Sequence, residues 1–433
     1  MKMQKQQYDQ LQETVYSEVM PNGLRVYVLP KQGFSKTFAT FTTDYGSIDN
    51  AFVPIGQKQS VEVPDGIAHF LEHKMFEDEE GDVFDTFGKQ GASANAFTSF
   101  TRTAYLFSST DDTAVNLHTL LDFVQHPYFT EESVEKEKGI IGQEISMYDD
   151  DADWRLFFQL LGNLYHRHPA RIDIAGTAES ISRITKDDLY TCYHTFYHPA
   201  NMILYVAGAV EPQEIFELVR SNQAEKEFTP MDHVERIEVD EPATALHSKA
   251  VEKMSIRLPK VLLGYKLSLH SETDNLLYQE ARLELLLETL FGEGSEAYET
   301  LYSEGLIDDS FSSEAMIERS FSLAALGGNT PKPEETEARL LDIIEHAQTE
   351  GMDERRFERM RKKLLGQLVK QLNSTEFLAT EGTRYAFHGA SVMDAVEIMQ
   401  QVTFDDISSL LASEFRIDNR TTSIIDQKAE ADA

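Results

Sequence analysis

The chain has one cysteine, Cys192, among its 433 residues, so no internal disulfide can form. That fits a reducing compartment and excludes a small secreted fold stapled by cross-links. Long apolar runs are also missing. The longest, such as 202–210, fall far short of the ~20 residues a membrane-spanning helix needs. Residues 1–13 are polar and show no secretory signal, so the expectation is a soluble cytoplasmic protein with no membrane partner. Basic residues are scarce. Against 74 Asp+Glu stand 39 Lys+Arg, a formal net charge of −35. Such a surface repels phosphate backbones and anionic lipid, which argues against nucleic acid as a partner. The same charge keeps a protein soluble and favours cationic peptides. What remains is ordinary: 41% hydrophobic and 26% charged residues exclude a largely disordered chain.

Strand and helix signals alternate along the first half. Residues 23–30 and 37–43 read as strands, the first opened by Pro21, Asn22 and Gly23. A helix is predicted after Pro64, with Asp65 as its N-cap. Residues 92–108 read as one or two strands, and 113–124 as a helix with Leu117, Leu120, Leu121 and Val124 on one face. Further helices are predicted over about 130–148 and 151–165, and a buried strand over 202–210. The stretch 221–251 is polar and carries Pro230 and Pro242. It marks a linker, giving domains at 1–225 and 251–433 joined by 226–250. A second round follows: a strand over 260–268, a helix over 275–291, a strand over 321–327, and helices over 334–348 and 353–372. Ile184-Thr185-Lys186-Asp187-Asp188-Leu189 is echoed by Val402-Thr403-Phe404-Asp405-Asp406-Ile407. At the same offset Tyr197 meets Phe415 and Asn201 meets Asn419, so an internal duplication is predicted.

His69-Phe70-Leu71-Glu72-His73 is the centre of the reading. On a helix His69, Glu72, His73 and Phe76 share a face, while Ile67, Phe70 and Leu71 lie opposite and pack inward. Two histidines at i and i+4 can aim at one metal ion, with Glu72 in reach of a water bound there. This is the H-x-x-E-H arrangement associated with zinc peptidases. A catalytic zinc needs a third protein ligand and an open position. The helix after Thr130 offers Glu137 and Glu144, about 20° apart on a helical wheel, inside a stripe of Val134, Ile140, Ile141, Ile145 and Tyr148. A carboxylate in an apolar stripe needs a partner. Such a partner is a metal, a histidine or an arginine; the alternatives are a buried salt bridge or residues that reach solvent at the edge of the stripe, and beside the histidine helix we expect at least one of the two to ligate metal.

Together these segments resemble the insulinase-like or pitrilysin-like zinc metallopeptidases, the inverzincins. The matching stretches are Asn22-Gly23-Leu24, Gly66 through His73, Gly91-Ala92-Ser93-Ala94-Asn95-Ala96-Phe97-Thr98, the Glu137 to Glu144 helix, His168-Pro169 through Gly176-Thr177, and Tyr197-His198-Pro199-Ala200-Asn201-Met202. The resemblance is strong over the first half and weak over the second. It implies an α+β fold of two similar halves, each a mostly antiparallel sheet flanked by helices, closing like a clam shell. It implies Zn2+ held by His69, His73 and Glu144, Glu72 as the general base toward a metal-activated water, and Glu137 orienting a ligand histidine. It implies a peptide substrate that adds as a strand along Asn95, Ala96, Phe97 and Thr98.

One departure bears on activity. Relatives carry an arginine followed seven residues later by a tyrosine in the second half. Here Tyr302 stands at the arginine position, and Asp308 or Asp309 at the tyrosine position. Arg384-Tyr385 does not fit the spacing. The expectation is the zinc-bearing subunit of a hetero- or homodimer whose related subunit supplies the Arg/Tyr pair. The alternative is a non-catalytic scaffold or processing subunit. A third reading, a structural metal site, requires a fourth protein ligand.

The remaining motifs read as structural. His166 and His168 read as structural histidines, and Asp149, Asp150, Asp151 and Asp153 as an acidic helix end that lacks the glycine of a calcium loop. Cys192 has no evident base. Gly292-Glu293-Gly294-Ser295 lacks the lysine of a phosphate loop and reads as a turn. Trp154 reads as core.

Overall fold

The structure, a computed structural model, describes residues 3–78, 81–231, 233–268 and 276–428. Seven strands of the first half form one sheet: β1 (Gln4–Tyr8), β2 (Glu13–Val19), β3 (Arg25–Pro30), β4 (Thr37–Thr43), β5 (Ser93–Thr98), β6 (Thr103–Ser109) and β7 (Met202–Gly208). Their order is β1-β2-β3-β7-β4-β6-β5. β4 reads TFATFTT, rich in β-branched and aromatic residues, and is buried along its whole length between β7 and β6. β5 pairs with β6 alone and forms one edge of the sheet, β1 the other. Residues 92–108, read as one or two strands, hold two.

A second sheet comprises β8 (Lys249–Met254), β9 (Lys260–Lys266), β10 (Ser312–Ile317), β11 (Ser322–Asn329) and β12 (Arg420–Gln427), in the order β8-β12-β9-β11-β10. It repeats the last five strands of the first sheet. β3 pairs with β7 in parallel, as β8 does with β12, and every other pair in both five-strand sets is antiparallel.

The predicted duplication extends to single side chains. Thr185 opens its helix with a capping box to Asp188, and Thr403 does the same with Asp406. The buried Asn201 donates to the carbonyls of Phe196 and Asp44, and the buried Asn419 to those of Glu414 and Lys266. Each asparagine ties a helix end to the end of a central strand.

The helices that bear on the site or the repeat are α1 (Ile67–Met75), α2 (Glu131–Asp150), α3 (Ala152–Leu164), α4 (Leu276–Phe291) and α5 (Thr375–Phe387). The chain forms two compact units drawn from interleaved stretches. Unit 1 holds Met1–Ile145, Asp173–Glu238 and Lys370–Met393, and unit 2 holds Ser146–Ile172, Val239–Val369 and Asp394–Ala433. Within unit 1, α5 packs on β7 and β4. Within unit 2, α3 packs on the equivalent strands, β12 and β9. Each sheet is thus covered by a helix from the other half of the sequence.

Several sequence expectations need correction. α1 is capped by Gly66, not Asp65. The polar stretch from 221 begins inside a helix, Pro212–Ala224, and includes a short strand, Glu235–Arg236, paired with Ala51–Val53. The helix expected from Asn275 is described from Leu276, since Asn275 lies outside the described residues. Ile140, placed in the apolar stripe, is 45% exposed. Among the described residues no helix is long and apolar enough to cross a membrane.

Candidate metal centre

The sequence of α1 buries one face and presents another. Ile67, Phe70 and Leu71 are at most 3% exposed. Its N-terminus is held by a close backbone approach. Gly66 has φ +88, and a Cβ there would lie 2.4 Å from the Ala175 oxygen; Gly176 has φ +74, and its Cβ would lie 2.5 Å from the Asp65 oxygen. Ser180 donates to that same Asp65 carbonyl at 2.8 Å. Asp65 precedes the N-cap, and its carboxylate accepts from Asn50. The glycines in the Gly66 and Gly176-Thr177 motifs therefore set the angle of the histidine helix.

Opposite runs α2, anchored by buried Val134, Ile141 and Ile145. Glu137 and Glu144 lie two turns apart on it. Glu144 Oε1 is 3.7 Å from His69 Nε2, and Glu144 Oε2 is 3.5 Å from His73 Nε2. The imidazole centroids are 4.6 Å apart. Glu137 Oε1 lies 3.1 Å from His73 Nδ1. A carboxylate only accepts, so Nδ1 carries the proton and Nε2 keeps its lone pair toward Glu144. Glu72 accepts a hydrogen bond from Thr98 on β5 at 2.9 Å.

The arrangement fits a divalent cation. A charge-assisted hydrogen bond closes to about 2.7–2.9 Å. The gaps between Glu144 and the histidines are wider, and match the roughly 3.4 Å between neighbouring ligand atoms around a tetrahedral ion with ~2.1 Å bonds. His69, His73 and Glu144 have ligand atoms all within 4.8 Å of one another, the one such group found among the described residues. No fourth side chain joins them there, so the geometry does not supply the closed shell of a structural zinc site. His69 Nδ1 is buried without a hydrogen-bond partner.

Burial and neighbouring charges act differently on the two histidines. Burial, with the charge of His73, pushes His69 down to about 4, so it is neutral at neutral pH and able to ligate. Burial opposes charge on His73, but the hydrogen bond to Glu137 and the nearby carboxylates of Glu72 and Glu144 outweigh it and raise its pKa. Burial raises Glu72 above the usual carboxylate range, against the pull of His73 and Thr98. Burial acts the same way on Glu137, yet its bond to His73 and the cations Lys74 and Lys136 bring it below that range.

Asn95, Ala96, Phe97 and Thr98 all lie on the open edge strand β5. Thr98 alone of the four makes a recorded hydrogen bond to one of the H-x-x-E-H side chains, and that bond was not legible in the sequence. Lys74 also escaped notice. Its side chain is wholly buried beside His73 and paired with Glu77. The features set aside have local roles. His168 caps a single turn by accepting from Ala170, Asp151 caps α3, and Ser295 caps the helix Glu296–Ser303. Burial pushes the Cys192 thiol up to about 12, which leaves it inert. Tyr302 is exposed, and Asp308 accepts from Ser310 and Asn329.

The family model described as insulinase (peptidase family M16) matches residues 51–178, and that described as peptidase M16 inactive domain matches residues 183–364. A curated relative from Bacillus subtilis (strain 168), the uncharacterized zinc protease YmfH, is 53% identical over 96% of this chain and 97% of its own. The chain belongs to the M16 peptidase family. Among solved M16 structures, a putative M16-like peptidase from Alicyclobacillus acidocaldarius superposes with a TM-score of 0.93 at 39% identity, covering 99% of each chain. A protease from Helicobacter pylori shares the fold, with a TM-score of 0.83 at 19% identity over 96% of this chain and 99% of that one. In this M16 chain the histidine-bearing segment falls within the insulinase match, and most of unit 2 falls within the inactive-domain match.

Proposed function

We propose that the chain is a zinc endopeptidase that cleaves peptides or small unfolded polypeptides. The observation that carries this reading is the meeting of His69, His73 and Glu144 from two helices, with Glu72 beside them and an open strand edge next to it. His69, His73 and Glu144 would hold a zinc ion, which would supply Lewis acidity toward a peptide carbonyl and lower the pKa of a water there. Glu72 takes the proton from that water and returns it to the leaving amine. Its raised pKa suits the second half of that task. Glu137 keeps the His73 ring in one tautomer. β5 grips the substrate by backbone hydrogen bonds, which serve many sequences alike.

The chain acts with a related subunit that supplies the arginine and tyrosine, since Tyr302 stands at the first matching position here and Asp308 or Asp309 at the second. That substitution is also what favours the second reading, a processing subunit without catalysis of its own. The relative named zinc protease supports the metal. The test is zinc analysis and peptide hydrolysis by the purified chain, alone and mixed with a related chain that carries the pair. Glu72→Gln should keep its zinc and lose hydrolysis in the mixture. A wild-type chain that holds zinc but cleaves nothing in any mixture removes the catalytic reading and leaves the processing one.

A further inference from the structure

The substrate-edge strand also touches the base. Thr98 is the last residue of β5, and its hydroxyl donates to Glu72 Oε2 at 2.9 Å. A threonine hydroxyl has one proton to give. The neighbouring hydroxyl, Thr103 Oγ1, lies 3.4 Å away and directs its own proton at the Tyr45 carbonyl, 2.9 Å distant. Thr103 is wholly buried and pairs with Thr98 in the strand register, so this arrangement is fixed by the sheet. The Thr98 proton is thereby committed to Glu72. The other Glu72 oxygen, Oε1, accepts no hydrogen bond among the described residues.

We propose that Thr98 is a positioning residue for the base: its hydroxyl braces Oε2 and leaves Oε1 as the atom that takes the proton. This rests on the catalytic reading of Glu72 above. A proton removed from water at Oε1 is handed to the leaving amine, and the Thr98 hydrogen bond to Oε2 persists throughout. Because Thr98 belongs to the strand that a peptide would join, substrate docking and base orientation share one residue. A peptide added along β5 tightens the same strand that holds the carboxylate.

The brace is tested by Thr98→Val, which keeps the shape and removes the donor, and Thr98→Ser, which restores it. In the zinc-loaded chain with its partner, Thr98→Val should lower kcat on the order of 10- to 100-fold with KM and zinc content little changed, and Thr98→Ser should recover most of the rate. A second readout does not need activity. Crystal structures of the metal-loaded variants should show the Glu72 carboxylate displaced in Thr98→Val and in place in Thr98→Ser. A Thr98→Val chain with unchanged kcat, or with Glu72 unmoved, overturns the proposal. If the wild type holds zinc yet cleaves nothing, the catalytic reading has failed by itself, and an unmoved Glu72 would then reject the brace separately.

Discussion

Unit 1 and unit 2 share a five-strand plan, the same threonine capping box and the same buried asparagine, yet they differ at the helix lying against the edge strand. In unit 1 that helix is α1, with His69, Glu72 and His73 beside β5. In unit 2 it is α4, which packs on β10 and carries Glu280, Glu284 and Glu288 at successive turns. Partial removal from water, with the charges of Glu280 and Glu288, pushes Glu284 up to about 7. The residues that repeat are those that satisfy backbone groups, because both copies share one backbone. The residues that diverge are titratable side chains on the helix beside the edge strand, which the shared backbone does not fix. The two copies share the frame, and the candidate metal-ligand cluster lies on one of them.

The sharpest way to break this comparison is to remove a carboxylate from each unit. Glu144→Ala should abolish zinc binding, from one ion per chain to roughly none by atomic absorption, since two histidines alone make a weak site. Glu284→Ala should leave the zinc content unchanged. Equal loss from both would show that the second unit takes part in holding the metal.

The segment joining the two sequence halves extends the contrast. Arg236 pairs with Asp44 and Asp49 in unit 1, while Glu241 pairs with Lys266 in unit 2 and accepts from the backbone N–H groups of His166, Arg167 and His168. Asp44 and Lys266 are the two strand ends held by the paired asparagines, so each unit anchors the segment at the same place with opposite charge. Burial opposes the Glu241 charge, but Lys266 and the three N–H groups hold its pKa at about 2, against about 4.3 unfolded. Its contribution is complete above about pH 5 and fades as pH falls toward 2. Glu241→Gln removes the counter-charge of the buried Lys266, which keeps its bonds to backbone carbonyls, and should cost about 3 kcal/mol at pH 7. In chemical denaturation the gap between the variant and wild type should close with acidification. A gap constant from pH 7 to 3 would rule out the ion pair as its cause.

The local pieces of the site were readable because periodicity carries them. The shared face of His69, Glu72 and His73 and the alignment of Glu137 with Glu144 follow from 3.6 residues per turn. The buried strand at 37–43 follows from composition. What was not readable depends on neighbours. Ile140 sits at the margin of its stripe, and how wide a stripe is covered is set by the packed element, not by the helix. Asp65 resembles an N-cap until the 173–177 loop closes on Gly66. An amphipathic helix does not say which sheet it covers, so the exchange of α3 and α5 left no trace in the pattern. The Pro212–Ala224 helix was legible in Ile215, Phe216 and Val219 but was obscured by the polar composition around it.

The finest test of the shared frame is the asparagine pair. Asn201→Ala and Asn419→Ala each remove the donor to two carbonyls, one at a helix end and one at a strand end. Unpaired buried acceptors cost about 1–3 kcal/mol, so each variant should lose about 2 kcal/mol, and the two losses should agree within about 1 kcal/mol. Two units give room for two unfolding transitions. Urea denaturation followed by Trp154 fluorescence reports unit 2, where the one tryptophan lies, and far-UV circular dichroism reports both. Asn419→Ala should move the fluorescence midpoint. Asn201→Ala should move the circular dichroism curve and leave that midpoint in place if the units unfold separately. A single transition shifted equally by both variants on both probes would mean that the two copies fold as one cooperative body, and the resemblance between them would then describe their architecture and not their independence.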